Sequence, residues 1–498
     1  MRGLLVAGTT SDAGKSVLTT GLCRWLARGG VRVAPFKAQN MSNNSVVTAD
    51  GAEIGRAQWV QAVAARAEPE AAMNPVLLKP GSDLRSHVVV MGKPYGVLDA
   101  TSFGSARPAL AEAAYSALDG LAARYDVVVA EGAGSPTEIN LRPHDFVNMG
   151  LARRGGLPVV VVGDIDRGGV FAAFHGTVAL LGREDQALVS GFVVNKFRGD
   201  AGLLAPGLAM IEKATGRPVL GVVPWLPDVW LDAEDALDVA ARGEADRPAA
   251  GSRTLRVAVV RFPRISNFTD VDPLAAEPGV AVTFTASPSE LADADLAILP
   301  GSRATVADLA WLRSRGMDHA LRARARDGLP TLGICGGYQM LAREIVDDIE
   351  SGAGTVSGLG LLPASVRFAV DKVVDRPTGE AYGVRVGTAY AIHHGRVTVD
   401  GDAESFLDGC RSGAVWGTSW HGVLEEDAFR RAFLRDVAAT AACHGFVVAS
   451  DTEFAALREQ RIDRLADAVA EHLDTAALRR LIDAGAPAGL PFVAPGAP

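Results

Sequence analysis

The 498 residues are too many for one hydrophobic core, and length alone leads one to expect roughly two to four domains. An apolar share of 48% with 21% charged residues is that of a folded globular chain and excludes disorder as the main state. The net charge of −9 argues against nucleic acid as a bulk partner; with no apolar run of membrane length and no signal-type N-terminus, the expectation is a cytoplasmic protein with no membrane partner.

Two residue counts add to this. Four cysteines, Cys23, Cys335, Cys410 and Cys443, lie far apart without a CxxC pair, so neither a disulfide framework nor a zinc site is suggested. Seven lysines stand against forty-two arginines, and a chain so biased keeps lysine where a compact point charge matters. Four of the seven, Lys15, Lys37, Lys79 and Lys196, fall in motif-like stretches of the first half.

The chain opens with an apolar run, Leu4 to Ala7, that breaks at Gly8 and reaches Gly14-Lys15-Ser16. Val17, Leu18, Leu22 and Trp25 then share one helical face. Strand, phosphate loop and helix are predicted. Glycines let backbone N–H groups turn toward phosphate oxygens, and the helix N-terminus adds partial positive charge. Lys15 can reach the β/γ-phosphates and the Ser16 hydroxyl can ligate Mg²⁺. Thr9, Ser11, Gly14, Lys15 and Ser16 are therefore nucleotide-binding candidates, for ATP with Mg²⁺. Five residues separate Gly8 from Gly14, one more than in the common P-loop.

Residues 1–231 alternate apolar strand-like and helical stretches, which predicts a mostly parallel sheet and an α/β fold. Strands are expected to end near Phe36-Lys37, at Glu131-Gly132, at Asp164-Ile165-Asp166-Arg167 and at Asn195-Lys196. Ligands of such sheets bind beyond the carboxyl ends of the strands, so these residues should converge on the P-loop. Glu131 is the first metal candidate, with Ser16, and Asp50 the second; the plainer reading of Asp50 is a solvated loop carboxylate. Asn195 suits an adenine edge or, more simply, an Asx turn. Lys37 and Lys15 could together stabilise a phosphoryl group in transfer. Gln39, Asn40, Asn43 and Asn44 look like hydrogen-bonding equipment for a polar, polycarboxylate or amide-bearing ligand.

Small and charged residues without apolar patterning mark a linker at 232–253. A second α/β unit, 254–440, is centred on LPTLGICGGYQML, where a predicted strand ends at Cys335, glycines follow and a helix begins. This is the pattern of a nucleophile elbow: the turn lifts the side chain off the sheet, and the helix N-terminus favours an anionic nucleophile. The N–H of Gly336 serves an oxyanion hole, and Gly301-Ser302, ending a neighbouring strand, could supply the second donor. The plainer reading of Cys335 is a small buried hydrophobe, against which the surrounding glycines argue. His421 is the expected base; His393 and His394, in a β-rich stretch, are weaker rivals. The tail, 441–498, is expected to be helical and then mobile over its last dozen residues.

GICGGYQM resembles the elbow of class I glutamine amidotransferases, and LPGS their oxyanion strand. The longer P-loop is similar to that of dethiobiotin-synthetase-like proteins. A P-loop parallel-sheet domain followed by a flavodoxin-like class I glutamine amidotransferase domain is the architecture of the cobyric/cobyrinic acid amidases. APFKAQNMSNNS, EGAGSPTEINL, DIDRGGVFA, VNKFRGD and RFPRISNFTDVDPL resemble one branch of that family. That branch amidates the b, d, e and g carboxylates of adenosylcobyrinic acid a,c-diamide in cobalamin biosynthesis, using ATP and glutamine. The sister branch, which makes the a,c-diamide, shares the architecture but not this whole set. The resemblance implies Cys335 as nucleophile, His421 as base and Gln339 near glutamine. It implies a corrinoid partner and leaves a homo-oligomer open. Most triad amidotransferases carry a Glu two residues after the His; here that residue is Val423, and neither Glu425 nor Glu426 is assigned in its place.

Two other readings are weighed against this one. A P-loop switch or partition ATPase would have no use for the thiol of Cys335. A glutaminase feeding another carboxylate, such as one of the cell wall, would not account for the segments around Asn40, Asn140 and Asn267.

Overall fold

The computed structural model describes residues 1–81, 85–226, 229, 249–401 and 403–495. The apolar runs of the first half become β1 (Gly3–Gly8), β2 (Val33–Phe36), β3 (Val127–Glu131), β4 (Val159–Asp164), β5 (Val189–Phe197) and β6 (Val219–Pro224). They form one sheet in the order β6-β5-β4-β1-β3-β2, paired in parallel throughout. Unbroken runs such as Val159 to Val162 are needed because both faces are covered. Alternate residues serve the two faces. Leu4, Val6, Val160 and Val162 pack with Leu18 and Leu22 of α1 (Lys15–Arg28). Leu5, Ala7, Val159 and Val161 pack with Leu110 and Leu118 of the helix Ala100–Arg124.

Between β2 and β3 the chain makes two excursions that the periodicity does not announce. One is a small sheet of Gln39–Met41, Val76–Pro80, Arg85–Val90 and Lys93–Asp99. The other is the hairpin Ser45–Val47/Glu53–Gly55. Both carry residues to the second half of the molecule.

That half is built on β7 (Leu255–Val260), β8 (Val280–Thr285), β9 (Leu296–Leu299), β10 (Thr331–Ile334), β11 (Glu404–Phe406), β12 (Gly409–Ser412) and β13 (Val415–Thr418). The order is β8-β7-β9-β10-β13-β12-β11, with the first five parallel and the last two antiparallel. The parallel part runs second-first-third-fourth-fifth, the flavodoxin-like winding. A second sheet, which includes Ala364–Asp375 and Ala391–Val399, covers the elbow end.

Up to residue 248, the linker expected at 232–253 lies outside the described residues. The tail packs on the first half. α3 (Phe454–His472) and α4 (Thr475–Ala484) return to the first half, where Ile462, Val469, Leu478 and Leu481 join the core above α1. Arg24 pairs with Glu459 and Asp463 across that contact. The last residues described are held too: Val493 exchanges two backbone bonds of 2.9 Å with the buried Gln186 side chain. These bonds fall within the last dozen residues, the stretch that the sequence leads one to expect to be mobile. Among the described residues no helix is long and apolar enough to cross a membrane.

Candidate functional site

Two centres emerge, one in each half. In the first, α1 starts at Lys15 after Gly14, whose φ of +97° belongs to the left-handed region that favours glycine. A Cβ there would also stand 2.0 Å from Asn195 Nδ2. The bare Cα lets that amide donate to the Ala13 carbonyl at 2.9 Å, bracing the loop from β5. Thr9 N–H donates to Val162 O at 2.9 Å, and Ser11 opens a short turn on the exposed side. Lys15 lies along the loop, donating to the carbonyls of Thr10 and Ser11 at 2.9 and 3.0 Å.

The expected convergence of strand ends is present. Glu131, fully buried at the end of β3, accepts from Ser16 Oγ and from Lys37 Nζ, each at 2.9 Å. Its other oxygen accepts from Gln61 at 2.5 Å. Gln61 was not anticipated; a glutamine on the apolar face of a helix was its only sequence signal. Asp164 accepts from Lys196 at 3.0 Å, and Lys196 reaches the Asp12 carbonyl at 2.8 Å. Ser16 and Glu131 offer two hard oxygens side by side, which fits Mg²⁺, an ion that keeps water and phosphate oxygens as its other ligands.

Three candidates stand elsewhere. Asp50 is exposed at the tip of the hairpin and bonds Thr48, so it takes no part in the Ser16–Glu131 arrangement. Asn40 donates to Gln58 at 2.8 Å inside the protein. Asn44 accepts from Thr269 at 3.1 Å and so joins the two halves. Gln39, two residues beyond Lys37, does line an open groove.

In the second half, Cys335 adopts φ +49°, ψ −110° between β10 and the short helix α2 (Gly336–Leu341). Such a conformation is strained for a non-glycine residue and is the mark of an elbow. Gly337 makes the turn feasible, since a Cβ there would lie 1.9 Å from the Leu299 carbonyl oxygen. Gly301-Ser302 pairs antiparallel with Ile265-Ser266, and the Ser302 amide nitrogen lies 2.8 Å from where a Gly336 Cβ would be. Gln339 is buried beside the thiol and accepts from Thr305 at 3.1 Å.

The Cys335 thiol donates to the Ile392 carbonyl at 3.9 Å, and Cys335 and His421 line the same cavity. His421 Nδ1 meets Asp270 Oδ2 at 2.6 Å, while Asp270 Oδ1 accepts from the Gly422 N–H at 2.8 Å. Tyr390 stacks on the imidazole at 5.4 Å. Burial alone would lower the His421 pKa; the Asp270 carboxylate and the Cys335 sulfur outweigh it and push the value from 6.5 up to about 10. His393 is pushed down to about 4, chiefly by burial. His393 and His394 each point Nδ1 at a backbone carbonyl. Neither has the Asp270 carboxylate.

Asp270 thus stands on the Nδ1 side of His421, the place of an orienting acid, which Val423 does not fill. Its segment was singled out in the sequence, but nothing local links it to a histidine 151 positions away.

These side chains face a cavity that also holds Lys79, Arg303, Glu350 and Lys372. Lys79 comes from the first half. It donates to Glu53 at 2.6 Å and to Ser45 at 2.8 Å, and Lys372 reaches the other oxygen of Glu53. Arg303 pairs with Glu350 at 2.6 Å. Three cations against two carboxylates leave one positive charge in excess.

A P-loop sheet and a strained cysteine elbow in one chain define a glutamine amidotransferase domain joined to a nucleotide-binding domain. Residues 4–239 match the family described as CobQ/CobB/MinD/ParA nucleotide binding domain, and residues 256–429 the CobB/CobQ-like glutamine amidotransferase domain. The chain is 62% identical over 501 residues to the cobyric acid synthase of Streptomyces avermitilis, covering 100% of this chain and 99% of that one. It is 61% identical over 504 residues to that of Mycolicibacterium gilvum and 62% over 507 to that of Mycobacterium tuberculosis, with both chains wholly covered in each pair. The chain belongs to the cobyric acid synthase family, and it is an amidating ligase.

Proposed function

We propose that the protein amidates the b, d, e and g carboxylates of adenosylcobyrinic acid a,c-diamide in the cytoplasm, using ATP and glutamine. The observation that carries this is the pairing of two centres in one chain, Cys335–His421–Asp270 and Lys15–Ser16–Glu131–Lys37.

Glutamine enters the cavity of Cys335. Its α-carboxylate meets the excess positive charge of Lys79, Lys372 and Arg303, and its α-ammonium faces Glu350. The thiolate attacks the carboxamide carbon, and the oxyanion is received by the amides of Gly336 and Ser302. His421, held protonated by Asp270, gives its proton to the departing nitrogen. Ammonia leaves as the C–N bond breaks. Water, deprotonated by His421, then releases glutamate from the thioester and restores the thiolate.

At the P-loop, the loop amides, Lys15 and Lys37 hold the phosphates, while Asn195 keeps its amide on the Ala13 carbonyl and offers its oxygen to the adenine edge. Ser16 and Glu131 would hold Mg²⁺, which would supply neutralisation of charge on the phosphate oxygens. A corrinoid carboxylate oxygen attacks the γ-phosphorus and ADP leaves. Ammonia then attacks the acyl carbon and phosphate departs with the C–O bond. Free ammonia would be protonated near neutral pH, so it travels by an enclosed route between the halves. Mass spectrometry of the corrinoid after incubation with ATP, Mg²⁺ and glutamine tests the reading. Four successive amidations are expected, and an unchanged corrinoid with intact glutaminase activity would sink it.

A further inference from the structure

Beyond the carboxyl end of β3 the first half opens into a second groove. Ala133 and Ser135, two and four residues after Glu131, form one wall, and Gln39, two residues after Lys37, lies against it. The groove therefore continues from the Lys37–Glu131 pair, where the phosphoryl group is transferred. Its outer wall is Phe103 and Arg107 of the helix Ala100–Arg124, and its rim includes Leu141.

Three features of this groove have no use in the chemistry described so far. Arg107 is half-buried, with its guanidinium 5.2 Å from the centre of the Phe103 ring, and no carboxylate among the described residues pairs with it. Nearby Arg142, by contrast, grips Asp185 through two bonds of 2.6 Å. Second, two buried carbonyl oxygens, Gln39 Oε1 and Asn148 Oδ1, accept no hydrogen bond. Asn148 is 4% exposed, and its nitrogen is committed to the Ala133 carbonyl at 2.7 Å, which leaves the oxygen as the free acceptor. Buried acceptors without donors are rare in folded proteins and point to an N–H that a ligand brings. Third, Leu141 and its neighbour Ile139 are 48% and 55% exposed, an apolar lip beside a polar floor.

We propose that this groove is the acceptor subsite, occupied by the corrinoid with one carboxylate directed at the Lys37–Glu131 pair. The inference rests on the amidation reading above. A second peripheral carboxylate sits on Arg107, carboxamides already present donate N–H to Gln39 and Asn148, and the apolar edge of the macrocycle lies over Phe103 and Leu141. The arrangement matches the chemical duality of the ligand, which carries acids and amides on one apolar ring. It also gives a direction to the sequence of reactions. Arg107 holds a carboxylate better than a carboxamide, so affinity falls as acids are converted and the finished product is released.

The test is equilibrium dialysis of the full chain against the coloured acceptor, adenosylcobyrinic acid a,c-diamide, and against its fully processed product, without ATP or glutamine. Arg107→Ala is expected to raise the acceptor Kd by about tenfold or more. It should also narrow the gap between acceptor and product, a change that a purely structural role would not produce. Arg107→Lys should restore part of both. Glutaminase kinetics and the KM for ATP should stay unchanged. Leu141→Glu, at an exposed position where folding is not at stake, should also weaken acceptor binding. Wild-type affinity in both Arg107→Ala and Leu141→Glu would overturn the subsite while leaving the amidation reading intact. A wild-type chain that neither binds nor amidates the corrinoid would overturn that reading and the subsite with it.

Discussion

Lys372, in the amidotransferase half, donates to Glu53, in the nucleotide-binding half, and Lys79 donates to the other oxygen of the same carboxylate. The strand that carries Glu53 runs directly into the helix Arg56–Ala64, whose Gln61 donates to Glu131. The cavity of Cys335 and the Ser16–Glu131 centre are therefore joined by one continuous segment of the first half.

Lys79→Met is expected to raise the KM for glutamine about tenfold or more, with little change in ammonium-dependent amidation. Glu53 keeps Lys372 as its partner. Burial pulls the Lys79 pKa down to about 8; Glu53 opposes the shift, while Lys372 and Arg303 add to it. The lysine is charged below that pH and binds the α-carboxylate, so the wild-type KM should climb as pH rises through about 8. Steady-state kinetics with glutamine and with 4-aminobutanamide, which lacks the carboxylate, provide the check. The variant should lose most of the preference for glutamine.

Asp270→Asn keeps the shape of the orienting group and removes its charge. Glutamine-dependent turnover should fall by about two to four orders of magnitude, while ammonium-dependent turnover is retained. In the wild type, the folded His421 pKa of about 10 lies above the ordinary 6.5. Its stabilising contribution is therefore complete below pH 6.5 and is lost as pH rises toward 10. Without the Asp270 charge this window should contract from its alkaline side, measured by thermal melts across pH.

Gly337→Ala places a methyl group 1.9 Å from the Leu299 carbonyl, a backbone atom that cannot step aside. A loss of at least about 2 kcal/mol in stability is expected. Calorimetry should read it as a fall of about 5 °C or more in Tm. Glutaminase activity should be lost with the elbow.

Glu131→Gln removes the charge that Ser16 and Lys37 surround. Amidation should fall about a hundredfold or more with glutamine and with ammonium alike. Glutamate release in the absence of corrinoid should persist, because Cys335 and its partners lie in the other half.

Much of this was legible wherever cause and effect sit close together in the chain. β1, the loop to Ser16 and α1 form one local unit, and so do β10, Cys335 and α2. Continuous valine runs announced a sheet covered on both faces, and the polar residue ending each run gave the edge where Glu131, Asp164 and Asn195 gather. What was not legible depends on distant pairing. Asp270 reaches His421 only because an excursion before β8 folds over β13. Lys79 enters the glutamine cavity on a small sheet without a clear period. Asp50 resembled a ligand because an acidic residue in a polar loop looks the same whether it turns inward or, as at this hairpin tip, outward. The last dozen residues are small and proline-rich, and nothing local in them announces that the Val493 N–H and carbonyl bond the distant Gln186 side chain.

On the proposed reading, ammonia made at Cys335 is consumed at Glu131 in the same chain. The most direct measurement is the corrinoid mass produced by Cys335→Ala with ATP and Mg²⁺, supplied with glutamine in one arm and ammonium in the other. The two-centre account predicts no mass change with glutamine and four amidations with ammonium. Amidation by this variant with glutamine as the only nitrogen source, or failure with ammonium while the wild type succeeds, would contradict it.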